Sequence, residues 1–193
     1  MEYMDEKIIE LRHLREKELH ASIETGFLID HKLIEFEPVE LFDGKVEIMQ
    51  PAEFVPMPPH LVRAKYQSEN RPQMIRTSLD TEVNFTFSLF PAPLSGEEAA
   101  PTARQAADAL KKVNPAFQFY DRETEPLGNS QIAWFDYKTY GLDDQLYNIM
   151  AVTPIGGKLF HIGFNCRFRL MNEWKTAARQ VLLSIRDLTG TAV

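Results

Sequence analysis

The sequence has little of what disulfide-rich, nucleotide-binding or membrane-spanning proteins require. Its 193 residues include one cysteine, Cys166, so no internal disulfide can form, and we expect a protein of the reducing cytoplasm. Only nine glycines are present, and neither a G-x-G-x-x-G nor a phosphate-loop pattern occurs. The N-terminus is charged throughout and has no apolar run typical of a signal peptide. No stretch approaches the ~20 apolar residues that span a bilayer, so no integral membrane segment is expected.

Motifs for catalysis and metal binding are also missing. No H-x-x-x-H or C-x-x-C spacing occurs, and the five histidines are scattered along the chain. No G-x-S-x-G marks a serine nucleophile. We therefore predict no catalytic residue, cofactor or metal site, although these absences do not exclude an enzyme.

The charge and composition narrow the class further. A net charge of −7 argues against a nucleic-acid partner, because such binding depends on neutralising phosphates with Lys and Arg. With 44% hydrophobic and 25% charged residues, the composition is that of a soluble globular protein. The length fits one domain with an appendage. We predict a charged N-terminal helix in residues 1–25 and a single α+β domain in residues 26–193.

The N-terminal region predicts a helix over residues 4–20. Met4, Ile8, Leu11 and Leu14 recur at helical spacing among charged residues and form a narrow apolar stripe. Such a stripe can pack on the edge of its own domain, pair with a second copy in a homodimer, or bind another protein. Packing on its own domain is the commonest case.

The remainder of the chain alternates between strands and helices. The predicted strands are residues 32–42, 45–51, 73–79, 81–91, 117–127, 130–141, 144–154 and 158–168, and the predicted helices are residues 101–114 and 172–190. Asp43-Gly44 and Gly156-Gly157 are hairpin signals. Short turns between successive strands imply antiparallel pairing, because parallel neighbours need long crossovers. The fold class is α+β, with helices packed on an antiparallel sheet.

The last predicted strand separates the cysteine from the nearest histidine. Side chains alternate between the two faces of a strand. Cys166 therefore shares one face with an apolar row: Phe160, Ile162, Phe164 and Phe168. His161 points to the opposite face, so the two residues cannot form a nucleophile and its base. Cys166 is expected in the core.

The face that carries His161 is a candidate interaction surface. A two-residue turn at Gly156-Gly157 places His161 opposite Val152, Gly163 opposite Met150, and Asn165 opposite Asn148. That face is mixed in polarity and has a hollow at Gly163, which lacks a side chain. It could bind a ligand or a partner, or it could be covered by a helix, and the second is commoner.

The neighbouring strand adds aromatic and acidic candidates. Tyr137 and Tyr140 lie near a strand end and are expected to be exposed at a binding surface. Asp136 shares a face with Trp134, and we expect it to pair with Lys138 or Arg122 at the strand end.

A family resemblance adds to these observations. VNFTFSLF, PTARQAADALKKVN, QIAWFDYKTYG and DQLYNIMAVTPIGGKLFHIGFNCRF, followed by a terminal helix with Trp174, occur in the order found in the PsbP/DcrB-like superfamily. Residues 45–190 resemble this superfamily, which includes a small Ran-binding protein. The resemblance implies a three-layer sandwich with the antiparallel sheet between helices.

The same resemblance implies a function. Members are largely non-enzymatic and bind other proteins, some as chaperones of secreted effectors. We therefore hypothesise a protein-binding adaptor or chaperone. The alternatives are a small-ligand-binding protein or enzyme with a pocket near His161, and a structural subunit of a homo-oligomer. The candidate interaction surface comprises Ile8, Leu11, Tyr137, Tyr140, Asn148, Met150, His161 and Asn165.

Overall fold

A computed structural model describes residues 2–141 and 144–190, and within the first helix it describes the side chains of residues 7–9, 11 and 15–19. The helices are α1 (Glu2–Leu19), α2 (Pro59–Lys65), α3 (Ala99–Val113) and α4 (Met171–Leu183). The strands are β1 (Ala21–Ser22), β2 (Gly26–Ile29), β3 (Lys32–Ile34), β4 (Phe36–Leu41), β5 (Val46–Pro51), β6 (Val55–Pro56), β7 (Met74–Thr77), β8 (Asn84–Pro93), β9 (Gln118–Leu127), β10 (Ser130–Tyr140), β11 (Gln145–Ile155), β12 (Lys158–Arg167) and β13 (Arg186–Asp187).

A seven-stranded sheet forms the centre of the molecule. Its strand order is β6-β7-β8-β12-β11-β10-β9, and neighbouring strands pair antiparallel throughout. Strands β9 to β12 form a meander, because each is joined to the next by a short turn. The chain reaches β9 from β8 by way of α3, which lets β12 return and pair with β8. The predicted antiparallel sheet is confirmed.

The β11–β12 hairpin fixes which side chains share a face. Gly156 and Gly157 both have positive φ, 55° and 71°, as the tight two-residue turn requires. The predicted register is confirmed, with Val152 opposite His161, Met150 opposite Gly163 and Asn148 opposite Asn165.

One face of the sheet carries the main hydrophobic core. Phe85, Phe87, Trp134, Phe160 and Phe164 lie there, nearly or fully buried, and Cys166 is fully buried among them, as predicted. Helix α4 and a small sheet of order β13-β5-β4 cover this face. Burying each such aromatic side chain contributes roughly 1.5–3 kcal/mol.

Helix α3 covers part of the opposite face. It presents Ala99, Ala103 and Ala107, small residues that let the helix lie close to Phe135 and Val152 on the sheet. Helices therefore pack on both faces of an antiparallel sheet. The α+β sandwich is confirmed.

The end of α4 differs from the sequence-based prediction, which continued the helix to residue 190. The helix ends at Leu183. The Ser184 hydroxyl donates to the Val181 carbonyl and accepts the Met49 N–H, so the chain leaves the helix and joins the small sheet. Strand β13 then pairs with β5.

The N-terminal part of the chain forms α1 and a second small sheet, β1-β2-β3. Phe27 and Ile29 of β2 are buried in the main core, and β2 packs on α4. The main contact of α1 is with β2. The division of the chain at residue 25 stays a prediction. Within the described residues, no helix has the length and apolar character to cross a membrane.

Candidate functional site

Helix α1 carries four exposed large hydrophobic side chains. Ile8, Ile9, Leu11 and Leu19 are 46%, 65%, 60% and 61% exposed. Ile8 and Leu11 are three residues apart and so lie on one side of the helix. The side chains of Met4 and Leu14 lie outside the described residues. The expected packing of this stripe on its own domain is not found for Ile8 and Leu11.

Exposure of these residues has an energetic consequence. A helix of this length gains most of its stability in a protein from packing an apolar face, because propensity alone makes isolated helices marginal in water. The described side chains of α1 receive little of that stabilisation from the rest of the chain, because all of them are exposed. A second protein surface could supply it.

The second candidate surface lies on the α3 side of the central sheet. Asn84, Asn165 and Asn148 follow one another across three neighbouring strands. Asn84 Nδ2 donates to Asn165 Oδ1 at 2.9 Å, and Asn148 Nδ2 donates to Thr139 Oγ1 at 3.1 Å. These amides are largely satisfied within the protein, so they offer few free groups to a partner.

The predicted hollow at Gly163 is filled. A Cβ atom placed on Gly163 would stand 2.5 Å from Oγ1 of Thr86 on the neighbouring strand. Thr86 is 5% exposed. Gly163 therefore makes room for a buried neighbour, and the predicted hollow is occupied by Thr86.

His161 is half-buried and has an unusual environment for an imidazole. It lies between Ser88 and Val152 on the neighbouring strands, and in the described parts of the chain its ring has no hydrogen-bond partner. Burial lowers the pKa of His161 below its ordinary value, so the ring is neutral at pH 7. The neutral imidazole therefore serves as a packed side chain rather than as a catalytic acid or base.

The two tyrosines lie on opposite faces of β10. Tyr137 is half-buried on the α3 side and stacks on Phe119 at 5.4 Å between ring centroids. Burial raises the pKa of Tyr137 to about 12. Tyr140 is 41% exposed, and Lys138 Nζ lies 5.0 Å from its ring centroid. Met150 packs on the α3 cluster.

The predicted surface is therefore divided among three places. Four members lie together on the α3 face and are half-buried there: Tyr137, Asn148, Met150 and Asn165. His161 lies on the same face, near Met150 and beside Gly163. Tyr140 is on the other face, and Ile8 and Leu11 are on α1. Of all these residues, Ile8, Leu11 and Tyr140 are exposed.

Sequence reasoning missed a set of polar contacts that joins α4 to β9 and β10. The buried carboxylate of Asp136 lies 2.7 Å from Lys175 Nζ and accepts a hydrogen bond from Tyr147 Oη at 2.8 Å. The predicted partners, Lys138 and Arg122, are wrong. Burial lowers the pKa of Lys175, but its hydrogen bonds to Asp121 and Asp136 more than offset this and raise it above its ordinary value.

One turn further along α4, a second ion pair joins the helix to β9. Arg179 binds Glu125 through two nitrogens, at 2.6 and 2.9 Å, and Trp134 Nε1 donates to the same carboxylate at 2.7 Å. The sequence signals were acidic residues at alternate positions 121, 123 and 125 and cations four residues apart at 175 and 179. Neither signal says that the two elements meet, because that depends on tertiary packing.

A large open cleft lies at one end of the central sheet, and His161 is not among the residues that line it. Its volume is about 1180 Å³. The walls are the β9–β10 turn, the end of β11, the segment after α4 and the outer side of β5. None of the predicted surface residues lines it.

The described residues contain no group of three or more His, Cys, Asp or Glu side chains that could hold a metal ion. Cys166 has no activating neighbour, and burial raises the pKa of its thiol to about 12. The geometry therefore offers surfaces for contact and no assembled set of reacting groups among the residues described.

The similarity of this chain to known proteins lies in its fold and not in its sequence. No family description and no curated protein matches the chain. The fold is similar to that of PsbP (CyanoP) from Synechocystis sp. PCC 6803, with a TM-score of 0.58 and 10% identity over 82% of this chain and 95% of that one. It is also similar to the Ran-binding protein Mog1p of Saccharomyces cerevisiae, with a TM-score of 0.54 and 9% identity over 82% and 98% of the two chains.

A third similar structure comes from Bacteroides thetaiotaomicron VPI-5482. Its TM-score is 0.54, with 11% identity over 81% of this chain and 50% of that one. Identities this low establish the fold alone. The chain shares the fold of PsbP and Mog1p, which is the fold that its sequence pattern predicts.

Proposed function

We propose that this protein is a non-enzymatic binding module of the cytoplasm, an adaptor or chaperone, that binds another protein through α1. The observation that carries the proposal is the exposure of Ile8, Ile9 and Leu11 on a helix whose described side chains are all exposed. Contiguous exposed apolar patches larger than a few hundred Å² are rare on monomeric proteins and mark interaction sites.

The fold supports this proposal by analogy. Mog1p, which has the same fold, is a Ran-binding protein. Its partner is not transferred to this chain, since the two proteins share only 9% identity. What the analogy adds is that this sandwich can serve as a rigid platform for protein recognition.

The mode of binding follows from the geometry of α1. A helix can bind by inserting apolar side chains three or four residues apart into a hydrophobic groove. Ile8 and Leu11 have that spacing, and fully burying each would contribute roughly 1.5–3 kcal/mol. The partner is therefore a protein with an apolar groove about one helix wide.

The proposal is tested by quantitative capture of proteins from a lysate of the source cells on three immobilised versions of the full chain. The versions are the wild type, the Ile8→Glu/Leu11→Glu variant, and a matched control with Leu79→Glu/Val113→Glu. Leu79 and Val113 are 73% and 80% exposed and lie outside α1. We expect at least one protein to be captured by the wild type and the control and lost with the α1 variant.

Equal capture by all three versions would overturn the role of α1. A captured protein that is lost only with the control variant would place the binding surface outside α1. Circular dichroism of the three proteins shows that they are folded alike, since all four substituted side chains are exposed.

Self-association through α1 is the alternative that the same helix allows. Light scattering on the wild type and on the Ile8→Glu/Leu11→Glu variant separates the two cases. The proposal expects a monomer for both proteins. A wild-type dimer that the variant converts to a monomer would make α1 a homodimer interface instead.

A small-ligand site or enzyme centred on His161 has weaker support. The neutral, unpartnered imidazole is the observation in its favour. The filled hollow at Gly163 and the absence of His161 from the lining of the cleft speak against it.

A further inference from the structure

The cleft at the end of the sheet has a floor of apolar side chains. Met49, Leu127, Ile155 and Leu183 line it from four separate elements or turns. The cleft lies where the seven-stranded sheet, the small β13-β5-β4 sheet and the end of α4 meet, and junctions of this kind are common positions for binding sites.

Two of the hydrogen-bonding groups that line the cleft are already engaged within the protein. Thr153 Oγ1 donates to the Gln131 carbonyl at 3.0 Å, and the Ser184 hydroxyl accepts the Met49 N–H at 2.9 Å. An occupant would therefore gain mainly from apolar contact with the floor. Orientation and specificity would come from charge at the rim and from the Ser130 hydroxyl, which is buried without a hydrogen-bond partner among the described residues.

The charge of the rim is predominantly negative. Its ionisable side chains are Glu24, Glu47, Asp187 and Arg186. Arg186 is paired with Glu47 at 3.0 Å, so the single cation is neutralised. Glu24 is exposed and forms no ion pair with any residue that the structure describes.

Two further features add negative potential. Burial raises the pKa of Asp187, but hydrogen bonds from Gly156 N–H and from Thr189 more than offset this and hold it below its ordinary value, so the carboxylate is ionised. The C-terminal end of α4 reaches the cleft at Leu183 and has no basic residue in its last turn. The partial negative charge of a helix C-terminus is therefore not offset there by a side chain of its own.

We propose that this cleft binds an extended peptide segment of a partner protein in which a lysine or arginine stands beside apolar residues. The apolar side chains lie on Met49 and Leu183, and the cation lies at the rim near Glu24. The volume of about 1180 Å³ exceeds the range of roughly 300–1,000 Å³ typical of small-molecule pockets, which favours a peptide over a metabolite.

This inference goes beyond the proposed binding through α1, because none of the α1 side chains lines the cleft. The turn at Ile23 and Glu24, which does line it, follows α1 by only a few residues. One partner could therefore contact both surfaces, and binding through two linked contacts is tighter than through either.

The test is fluorescence anisotropy with the full chain and three labelled seven-residue peptides. One alternates leucine with lysine, one alternates leucine with glutamate, and one alternates serine with lysine. We expect the first to bind and the other two to bind at least about tenfold more weakly, because only the first supplies both apolar contact and positive charge. Absence of binding by the leucine–lysine peptide overturns the inference.

The position of the site is tested with a matched pair of charge reversals. Glu24→Lys is expected to weaken the leucine–lysine peptide roughly tenfold, whereas Glu69→Lys, an exposed position outside the cleft, leaves its affinity unchanged. In NMR spectra the peptide should shift the amide signals of Gly128, Asn129 and Thr189. Equal effects of the two reversals, or shifts confined to other regions, would overturn the inference.

Failure of peptide binding at the cleft can be distinguished from failure of the proposed binding through α1. The Ile8→Glu/Leu11→Glu variant is expected to bind the leucine–lysine peptide as tightly as the wild type. Loss of peptide binding in that variant, with normal binding by Glu24→Lys, would assign the peptide to α1 and overturn the cleft while leaving the proposed function intact.

Discussion

The fully buried carboxylate of Asp136 on β10 lies 2.7 Å from the ammonium group of Lys175 on α4. Two other groups share this carboxylate, the hydroxyl of Tyr147 and the backbone N–H of Asp121. The ion pair joins the helix that covers the core to the strand beneath it. It anchors α4 to the central sheet near the edge strand β9.

Removing the cation should therefore destabilise the fold strongly. Lys175→Met leaves Asp136 buried without its counter-ion, and the expected loss is about 3–5 kcal/mol of unfolding free energy. Urea unfolding monitored by tryptophan fluorescence measures it. Arg179→Met, four residues away on the same helix and with a more exposed side chain, is the control and should cost about 1 kcal/mol. Equal losses for the two variants would show that the burial of Asp136 carries no special cost.

The Arg179–Glu125 contact predicts a dependence on acid pH. Hydrogen bonds from Arg179 hold the pKa of Glu125 below its ordinary value of about 4.3. A lowered folded-state pKa stabilises the protein above the ordinary value, and this stabilisation is lost as the pH falls through the folded-state pKa. The stability difference between wild type and Arg179→Met should therefore be largest near neutral pH and shrink below about pH 4. A difference that is constant across this range would contradict the contact.

The contact of Gly163 with Thr86 makes a prediction about packing. Gly163→Ala should destabilise the protein by about 1–3 kcal/mol, because its Cβ would overlap Thr86 Oγ1. Thr86→Ala removes that oxygen, so the double variant should be more stable than the sum of the two single effects predicts. Thermal unfolding of the four proteins completes the cycle. Simple additivity would mean that the two side chains do not meet.

The single thiol provides a probe of the core. Burial raises the pKa of Cys166 to about 12, so at about pH 8 the thiol is protonated and inaccessible. Ellman's reagent should leave the native protein unmodified and react with one thiol per chain in denaturant. Rapid reaction of the native protein would place Cys166 at the surface and contradict the packing of the main core.

Local patterns in the sequence predicted the central sheet well. Alternation and the glycine pair at 156–157 determined the register of β11 and β12, because hairpin geometry depends on only a few neighbouring residues. The same reasoning assigned Cys166 to the core and His161 to the other face.

Features that depend on contacts between distant elements were not predictable. The sequence pattern continued the last helix to residue 190, but a hydrogen bond between Ser184 and Met49, 135 residues apart, redirects the chain into β13. The cleft forms because of that redirection and was therefore missed. Asp136 was paired with Lys138 on its own strand or Arg122 on the neighbouring strand for the same reason, whereas its actual partner, Lys175, is contributed by α4.

The residues of the candidate interaction surface also show that exposure depends on contacts between distant elements. Exposure of Ile8 and Leu11 depends on how α1 packs against the rest of the chain, which no local pattern reports. Tyr137 and Met150 were expected at a binding surface, but α3 and the neighbouring aromatic rings cover them. Whether any of these residues contacts a partner stays a prediction.

Site-specific photo-crosslinking in the source cells tests the central claim most directly. A photoreactive benzophenone side chain is placed at Leu11 in one version of the full chain and at Val113, exposed on α3, in the other. The account predicts a discrete crosslink to a different protein from position 11 and none from position 113. No crosslink from position 11, or a crosslink only to a second copy of this chain, would contradict it.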